Sequence, residues 1–170
     1  ADRLRPDLIR LNSYAHATLP WRVPQVVVGH SCVASWWSAV KGDTLPSTWS
    51  HYWQRVHDGL MAADVVLAPS AGMLNALLRH YGPLRRAHVI HNGRDPGYFG
   101  ARGKEPFVLA VGRLWDEAKN LATLERAAPR LPWPVYVAGE SRHPDGDRVR
   151  TRNVYPLGQL DQTELAHWFG

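Results

Sequence analysis

The feature that most constrains the fold is a repeated order of elements: a short apolar run, a turn with glycine, proline or serine, and then an amphipathic stretch. The clearest apolar run is Val26-Val27-Val28, which is β-branched and is followed directly by Gly29. The same order predicts strands at residues 8–11, 26–29, 64–68, 88–90, 107–111, 135–138 and 154–157. It predicts helices at residues 32–40, 49–63, 70–81, 118–130 and 161–169. Strands that alternate with helices indicate parallel βαβ units, and so an α/β chain with doubly wound sheets.

A break in this order lies near the middle of the chain. Residues 94 to 105 are rich in glycine and charge and poor in apolar side chains, which predicts a linker. The strand–helix order begins again after it. We therefore expect two domains, residues 1–92 and residues 93–170, with the linker at the start of the second.

Composition narrows the class of protein. Apolar residues make up 45% of the 170 and charged residues 21%, which is typical of a globular chain. No apolar run approaches the roughly 20 residues that a membrane-spanning helix needs, and the first residues lack the apolar segment of a signal peptide. Cys32 is the single cysteine, so no disulfide can form within the chain, and a cysteine-based zinc site is disfavoured. We expect Cys32 to be a small buried residue and the protein to be cytoplasmic.

The chain carries a formal net charge of +5, and nearly all of its basic residues are arginine. Because arginine suits bidentate recognition of phosphate, a phosphate-bearing small molecule and a nucleic acid are both candidate partners, beside a merely solvated surface. The densest basic cluster has no aromatic residues among its arginines, which disfavours a platform for stacked bases. Its members are Arg142, Arg148, Arg150 and Arg152. We therefore expect no nucleic-acid partner.

Candidate ligand-binding residues follow the predicted strands. In open parallel sheets, ligands bind beyond the carboxyl ends of the strands. Four of the five strand exits carry glycine, and histidine, arginine, serine and glutamate are among the other residues there. The exit residues are Gly29 and His30, Pro69 and Ser70, Gly112 and Arg113, Gly139 and Glu140, and Gly158. Turns between strands and helices need glycine and serine in any case, but the set taken together predicts a ligand site.

The segment from Gly112 to Asn120 is the most informative of these. Arg113 leaves a strand, and Lys119 follows six residues later at the predicted start of a helix. Two cations and the amide groups of a helix N-terminus can converge on one pyrophosphate. An alternative of equal weight makes Lys119 a solvated helix residue and Arg113 a partner of Asp116 or Glu117.

The other strand-end side chains also have two interpretations. His30 can exchange hydrogen bonds with a sugar hydroxyl, or it can bond to the backbone of its turn. Ser70 is favoured as a helix cap over a ligand group, and Glu140 can bind a hydroxyl or remain solvated. Asp145-Gly146-Asp147 has the spacing of a metal-binding pair, but it lies in an arginine-rich loop away from any apolar strand end. We therefore expect no metal site.

Several segments in order resemble glycosyltransferase family 4, which has the GT-B architecture. The segments are Val26 to Ser31, Ala62 to Ser70, Val89 to Asp95 with Phe99, Gly112 to Asn120, Val137 to Glu140, and Leu157 to Leu160. Each segment alone is weakly specific, but their shared order across nearly the whole chain is a specific signal.

The resemblance implies two partial Rossmann-like domains whose parallel sheets face a cleft. Residues 1–92 would be the later part of an acceptor-side domain, and residues 93–170 the first part of the domain that binds the nucleotide sugar. Arg113 and Lys119 would hold the donor diphosphate, and His30 would contact the transferred sugar. Gly29, Ser70, Gly112, Asn120, Gly139 and Glu140 would complete the substrate contacts. The enzyme would need neither a metal nor another cofactor and would retain the anomeric configuration.

Two motifs of the family have no match in this chain: the glycine-rich loop near its N-terminus and its paired glutamates. The resemblance therefore implies the middle of a longer protein, with little turnover by residues 1–170 alone. It also allows a peripheral association of the longer protein with a membrane, and it leaves the acceptor unidentified. A Rossmann-like module that binds a nucleotide or phosphorylated ligand without chemistry remains the alternative.

Overall fold

A computed structural model of the chain describes residues 4–100 and 103–170. The chain forms two compact units that divide between Gly93 and Arg94. Each unit contains its own parallel sheet, and α-helices lie in some of the connections between strands. The predicted α/β class with two parallel sheets is confirmed.

The first unit is built on a four-stranded sheet in the order β1-β2-β3-β4, with every neighbouring pair parallel. The strands are β1 (Ile9–Leu11), β2 (Gln25–Val28), β3 (Val65–Ala68) and β4 (Ala87–Val89). The helices are α1 (Val33–Lys41) and α2 (Ser50–Ala62), between β2 and β3, and α3 (Ala71–Tyr81), between β3 and β4. Short 3-10 turns cover Tyr14–Thr18 and Ser47–Trp49.

The core of this unit forms between the sheet and its helices. Val27 and Val66 lie on the two central strands and are completely or almost completely buried, as are Leu60 of α2 and Leu77 of α3. Cys32 is buried as predicted, and its sulfur caps α1 by accepting a hydrogen bond from the Ser35 amide at 3.3 Å. The apolar residues that recur at helical spacing in α2 and α3 are only partly buried, because Met61 and Leu78 are exposed.

The 3-10 turn at Tyr14–Thr18 was not predicted, and it packs closely on α2. A Cβ atom added to Gly59 would lie 2.0 Å from the carbonyl oxygen of Tyr14. Only glycine at position 59 lets the two backbones come this close. The turn is five residues long and has no apolar repeat, so neither helical nor strand periodicity could reveal it.

The second unit is built on a three-stranded parallel sheet in the order β5-β6-β7. Its strands are β5 (Val108–Val111), β6 (Val135–Ala138) and β7 (Tyr155–Gly158), and its helices are α4 (Leu121–Ala127) and α5 (Gln162–Phe169). The buried core consists of Leu114, Leu121, Val135, Val137 and Val154. Asp161 and Glu164 form the predicted capping box at the start of α5.

The predicted helix over residues 118–130 is wrong in its extent. The structure has a 3-10 turn at Glu117–Lys119, the helix α4 at Leu121–Ala127, and another 3-10 turn at Ala128–Arg130. Asn120 interrupts the run because its φ of 48° is left-handed. Pro129 cannot donate an amide hydrogen bond and lies where α4 gives way to the second turn. Lys119 therefore ends a 3-10 turn and does not begin an α-helix.

Candidate functional site

The exits of the three strands of the second unit lie together at one edge of the sheet. The Gly112 amide donates to the Ala138 carbonyl at 2.9 Å, and the Gly139 amide donates to the Gly158 carbonyl at 2.7 Å. A Cβ atom added to Gly139 would lie 1.9 Å from the carbonyl oxygen of Gly112. The backbones after β5 and β6 are therefore in direct contact, with no side chain between them.

Lys119 reaches back to this edge. A Cβ atom added to Gly112 would lie 3.1 Å from both Cδ and Cε of Lys119, so the lysine stem lies against the glycine. Lys119 is exposed, and among the described residues its ammonium makes neither a hydrogen bond nor an ion pair. The structure thus places an unpaired cation at the end of β5.

Arg113 is on the same loop, and its guanidinium has a protein partner. Its Nη2 lies 2.6 Å from Oδ2 of Asp116, and its Cζ lies 5.1 Å from the centre of the Trp115 ring. Asp116 also caps the 3-10 turn, because its Oδ1 accepts from the Ala118 amide at 3.0 Å. The ion pair is the alternative that the sequence allowed. Arg113 remains 59% exposed, and four of its five N–H donors lie outside this bond.

A cavity of about 560 Å³ opens beside Gly139. Its walls come from the exits of β6 and β7 and from the loop that joins these strands. Among them are Glu140, Ser141, Arg142, Arg148 and Gln159. The Glu140 side chain is exposed and has no partner among the described residues. Cavities of this size, about 300–1,000 Å³, accommodate small molecules.

The loop that supplies the two arginines is a narrow hairpin. Arg142 and Arg148 are directly paired in an antiparallel bridge, and the Val149 amide donates to the Ser141 carbonyl at 2.9 Å. The sequence marked both residues as part of a basic cluster, but it did not place them on one cavity. A turn-forming Pro-Asp-Gly between the two arginines is the signal that could have paired them.

In the first unit, the predicted site residues Gly29 and His30 lie directly after β2. The buried Gly29 donates its amide to the Leu67 carbonyl at 2.7 Å, which joins the exits of β2 and β3. His30 is exposed and makes no hydrogen bond to any described residue. The backbone bond that the sequence allowed for His30 is therefore absent from the described part of the chain, and its imidazole is accessible to a ligand.

Two further predicted contacts have structural partners. Ser70 caps α3, and its Oγ accepts from the Met73 amide at 3.1 Å, as the sequence favoured. Asn120 accepts a hydrogen bond from the Thr123 hydroxyl at 2.9 Å. Substrate contacts by Ser70 and Asn120 remain predictions.

The aspartates of the Asp145-Gly146-Asp147 segment do not gather ligands for a metal. Asp145 lies 3.3 Å from the imidazole of His143. Over residues 4–100 and 103–170, no group of three or more histidine, cysteine, aspartate or glutamate side chains has an arrangement that could hold a metal ion. None of the helices in those same ranges is both long enough and apolar enough to cross a bilayer.

Comparison with known proteins supplies the family. The model of Glycosyltransferase Family 4 matches residues 1–98, which is more than half of the chain. The alpha-maltose-1-phosphate synthase of Mycolicibacterium smegmatis is 29% identical over 170 residues, covering 88% of this chain and 42% of that protein. The structure of sucrose-phosphate synthase from Thermosynechococcus elongatus superposes with a TM-score of 0.73 at 19% identity, covering 95% of this chain and 47% of that one.

These similarities confirm the predicted resemblance and the GT-B fold. The chain spans less than half the length of either protein that it matches. The structural likeness, at 19% identity, bears on the fold alone. The family model matches more than half of the chain, and the strand-exit motifs agree with that match. The chain therefore belongs to glycosyltransferase family 4.

Proposed function

We propose that this chain belongs to an enzyme that transfers a sugar from a nucleotide-diphosphate donor to an acceptor with retention of configuration. Residues 93–170 would bind the donor, and residues 1–92 would form part of the acceptor-side domain. One observation carries the proposal: the Lys119 ammonium has no partner among the described residues, its stem lies against Gly112 at the exit of β5, and Arg113 is on the same loop. A strand-end pair of cations suits a diphosphate.

In this proposal the cations act on the leaving group. The bond between the anomeric carbon and the phosphate oxygen breaks, and its electron pair stays on the diphosphate. Lys119 and Arg113 stabilise that growing negative charge, while the acceptor oxygen forms the new bond to carbon and its proton passes to the departing diphosphate. Stabilisation of this kind is commonly the largest catalytic contribution, and one contact is worth about 2.7–4 kcal/mol.

The cavity beside Gly139 could hold the parts of the donor that lie beyond its diphosphate. Glu140 has a carboxylate free to accept hydrogen bonds from hydroxyl groups, and glycine at 112 and 139 lets a ligand approach the backbone. We propose that Glu140 contacts a hydroxyl of the bound nucleotide sugar. We also propose that the transfer is metal-independent, so that chelation by EDTA leaves it unchanged.

His30 is proposed to contact the transferred sugar. His30→Ala should lower turnover by roughly 10²-fold and change nucleoside diphosphate affinity by less than about threefold, because the imidazole would act on the sugar and not on the phosphates. Steady-state kinetics and calorimetry on the protein in its full natural length would measure both quantities. His51→Ala, which changes an exposed histidine at the start of α2, is the control. Equal losses of turnover and affinity would make His30 a structural residue.

Arg113 has two possible partners, which a pair of variants can separate. Arg113→Ala should weaken nucleoside diphosphate binding at least about tenfold, or roughly 1.4 kcal/mol. Asp116→Asn keeps the oxygen that caps the 3-10 turn and removes only the ion pair, so binding should stay within about threefold, because exposed ion pairs are worth about 0.2–1 kcal/mol. Calorimetry with UDP, ADP and GDP measures both variants. Similar nucleoside diphosphate affinities of the two variants would mean that Arg113 serves only as the ion-pair partner of Asp116.

The function as a whole is tested by a transfer assay. The protein in its full natural length is incubated with UDP-, ADP- and GDP-sugars, and release of the nucleoside diphosphate is followed with and without acceptors. The maltose-1-phosphate synthase relative is named for a phosphorylated disaccharide, so sugar phosphates belong among the acceptors tried. We expect acceptor-dependent release, and residues 1–170 alone should turn over little. Nucleotide binding without any transfer would instead support the non-catalytic binding module.

We propose that the protein acts in the cytoplasm without a nucleic-acid partner and that its full-length form can associate peripherally with a membrane. Cell fractionation with antibody detection tests the location. Binding to anionic vesicles that weakens as salt increases would support the membrane association.

A further inference from the structure

The turn that carries His30 is held by two tyrosine side chains from other parts of the first unit. The Tyr14 hydroxyl donates to the Ser31 carbonyl at 2.8 Å, one residue after His30. The Tyr52 hydroxyl accepts from the Val33 amide at 3.2 Å, at the start of α1. Both bonds join residues that are distant in sequence, so they couple this turn to the surrounding fold.

Tyr14 also contacts the residue before His30. A Cβ atom added to Gly29 would lie 2.9 Å from the Tyr14 hydroxyl oxygen and 2.7 Å from Cδ1 of Leu77. The hydroxyl therefore lies against Gly29 on one side of His30 and bonds to Ser31 on the other. One oxygen atom thus limits the movement of the backbone on both sides of the histidine.

Tyr14 is itself fixed in place. It is 8% exposed, and its backbone lies against Gly59 of α2 in the close contact described above. Burial raises the pKa of the Tyr14 hydroxyl well above its usual range, so the group stays protonated and can donate at any ordinary pH. The chain of contacts runs from Gly59 to Tyr14, and from Tyr14 to the turn at residues 29–31.

The His30 side chain makes no hydrogen bond to the described residues, so the backbone of the turn sets the point from which it projects. We infer that Tyr14 is a positioning residue for His30, and that its hydroxyl holds the turn so that the backbone that carries the imidazole stays in one place. Tyr52 supports the same turn from its α1 side. The consequence for sugar transfer rests on the proposed function of His30, but the structural role does not.

The structural arm of the test is NMR of the protein in its full natural length with labelled histidine. His30→Ala identifies the His30 imidazole resonance. Tyr14→Phe removes only the hydroxyl, and we expect it to shift or broaden that resonance. Tyr155→Phe, a change on β7 at a tyrosine whose hydroxyl has no described partner, should leave it unchanged. An unchanged His30 resonance in folded Tyr14→Phe would overturn the inference.

The kinetic arm compares Tyr14→Phe in two backgrounds. Misplacing a catalytic group by about 1 Å can lower the reaction rate about 10²-fold. We expect the loss of the Tyr14 hydroxyl to lower kcat roughly tenfold with KM nearly unchanged. If Tyr14 acts through His30, the same change should have less than a twofold effect in His30→Ala, because coupled residues are not additive. Equal effects in both backgrounds would contradict a role through His30.

A third variant separates a general loss of stability from a specific effect on the turn. Val56→Ala removes methyl groups from the same core but leaves both tyrosine hydrogen bonds to the turn in place, so it should lower Tm and leave kcat and the His30 resonance unchanged. Should Tyr14→Phe fail to fold, Tyr52→Phe removes the second bond and is judged by the same resonance. If His30→Ala itself has no effect on transfer, the proposed function of His30 fails, while the NMR result still decides what Tyr14 does.

Discussion

Lys119→Ala should lower turnover by roughly 10²–10³-fold, which corresponds to the loss of one electrostatic contact to the departing group. The ammonium is unpaired among the described residues and is held over Gly112, so no neighbouring acid competes with a diphosphate for it. Its stem lies against Gly112 at the exit of β5, so the ammonium can reach a diphosphate bound at that edge of the sheet. Nucleoside diphosphate affinity should fall as well, by at least about tenfold.

Two variants identify the source of this loss. Lys119→Met keeps an apolar stem against Gly112 and removes the charge, so it should behave like Lys119→Ala. Lys104→Ala removes the same charge from the same unit, where Lys104 donates to the carbonyl oxygens of Phe169 and Gly170, and should leave donor affinity unchanged. Calorimetry with UDP, ADP and GDP and a transfer assay supply the measurements. Full activity in Lys119→Met would contradict a role for the charge.

Gly139→Ala should destabilise the second unit by about 3 kcal/mol or more, because two costs add. The φ of Gly139 is +130°, a conformation that is essentially restricted to glycine and costs other residues about 1–3 kcal/mol. The new Cβ would also lie 1.9 Å from the Gly112 carbonyl oxygen and 2.8 Å from its carbon. Backbone atoms on the neighbouring strand must move to relieve that overlap.

Gly146→Ala is the matched control for this prediction. Gly146 has a φ of +106°, but a Cβ atom there would meet nothing within 4 Å. The difference in unfolding free energy between the two variants, measured with denaturant, therefore isolates the contact with Gly112. Because Lys119 lies on Gly112, Gly139→Ala should also weaken diphosphate binding when it folds. Equal stabilities of the two variants would show that the strand exits can separate at little cost.

The strands were the easiest elements to predict, because each is a short run of β-branched or other apolar residues bounded by turn residues. β6 occupies Val135–Ala138, as predicted, and the other strands agree within a residue or two at each end. The length of the helix over residues 118–130 was overestimated, since its apolar spacing continues through positions where the backbone is not α-helical. The left-handed Asn120 and the Pro129 turn interrupt it, and local conformation outweighs periodicity there.

The candidate site, like the fold, was predicted from the sequence only in part. Motif order pointed to Arg113, Lys119 and His30, and the family is confirmed by the match over residues 1–98. Their roles remain proposals. The sequence left two partners open for Arg113, and the structure shows its bond to Asp116. Tyr14 and Tyr52 carry no sequence signal as site residues, because they are 16 and 22 positions away from His30 along the chain.

The sequence by itself determined the α/β class, the strands and most of the helices, the family resemblance and the strand-end residues that carry charge. These properties depend on local patterns that can be recognised in the sequence alone: apolar runs, turn residues and short motifs. Only the tertiary structure decided that Lys119 lies on Gly112, that Gly139 leaves room for the neighbouring backbone, and that Tyr14 holds the turn around His30. Each of these is a contact between segments whose approach is set by packing of the whole unit, and local propensity contains no information on it.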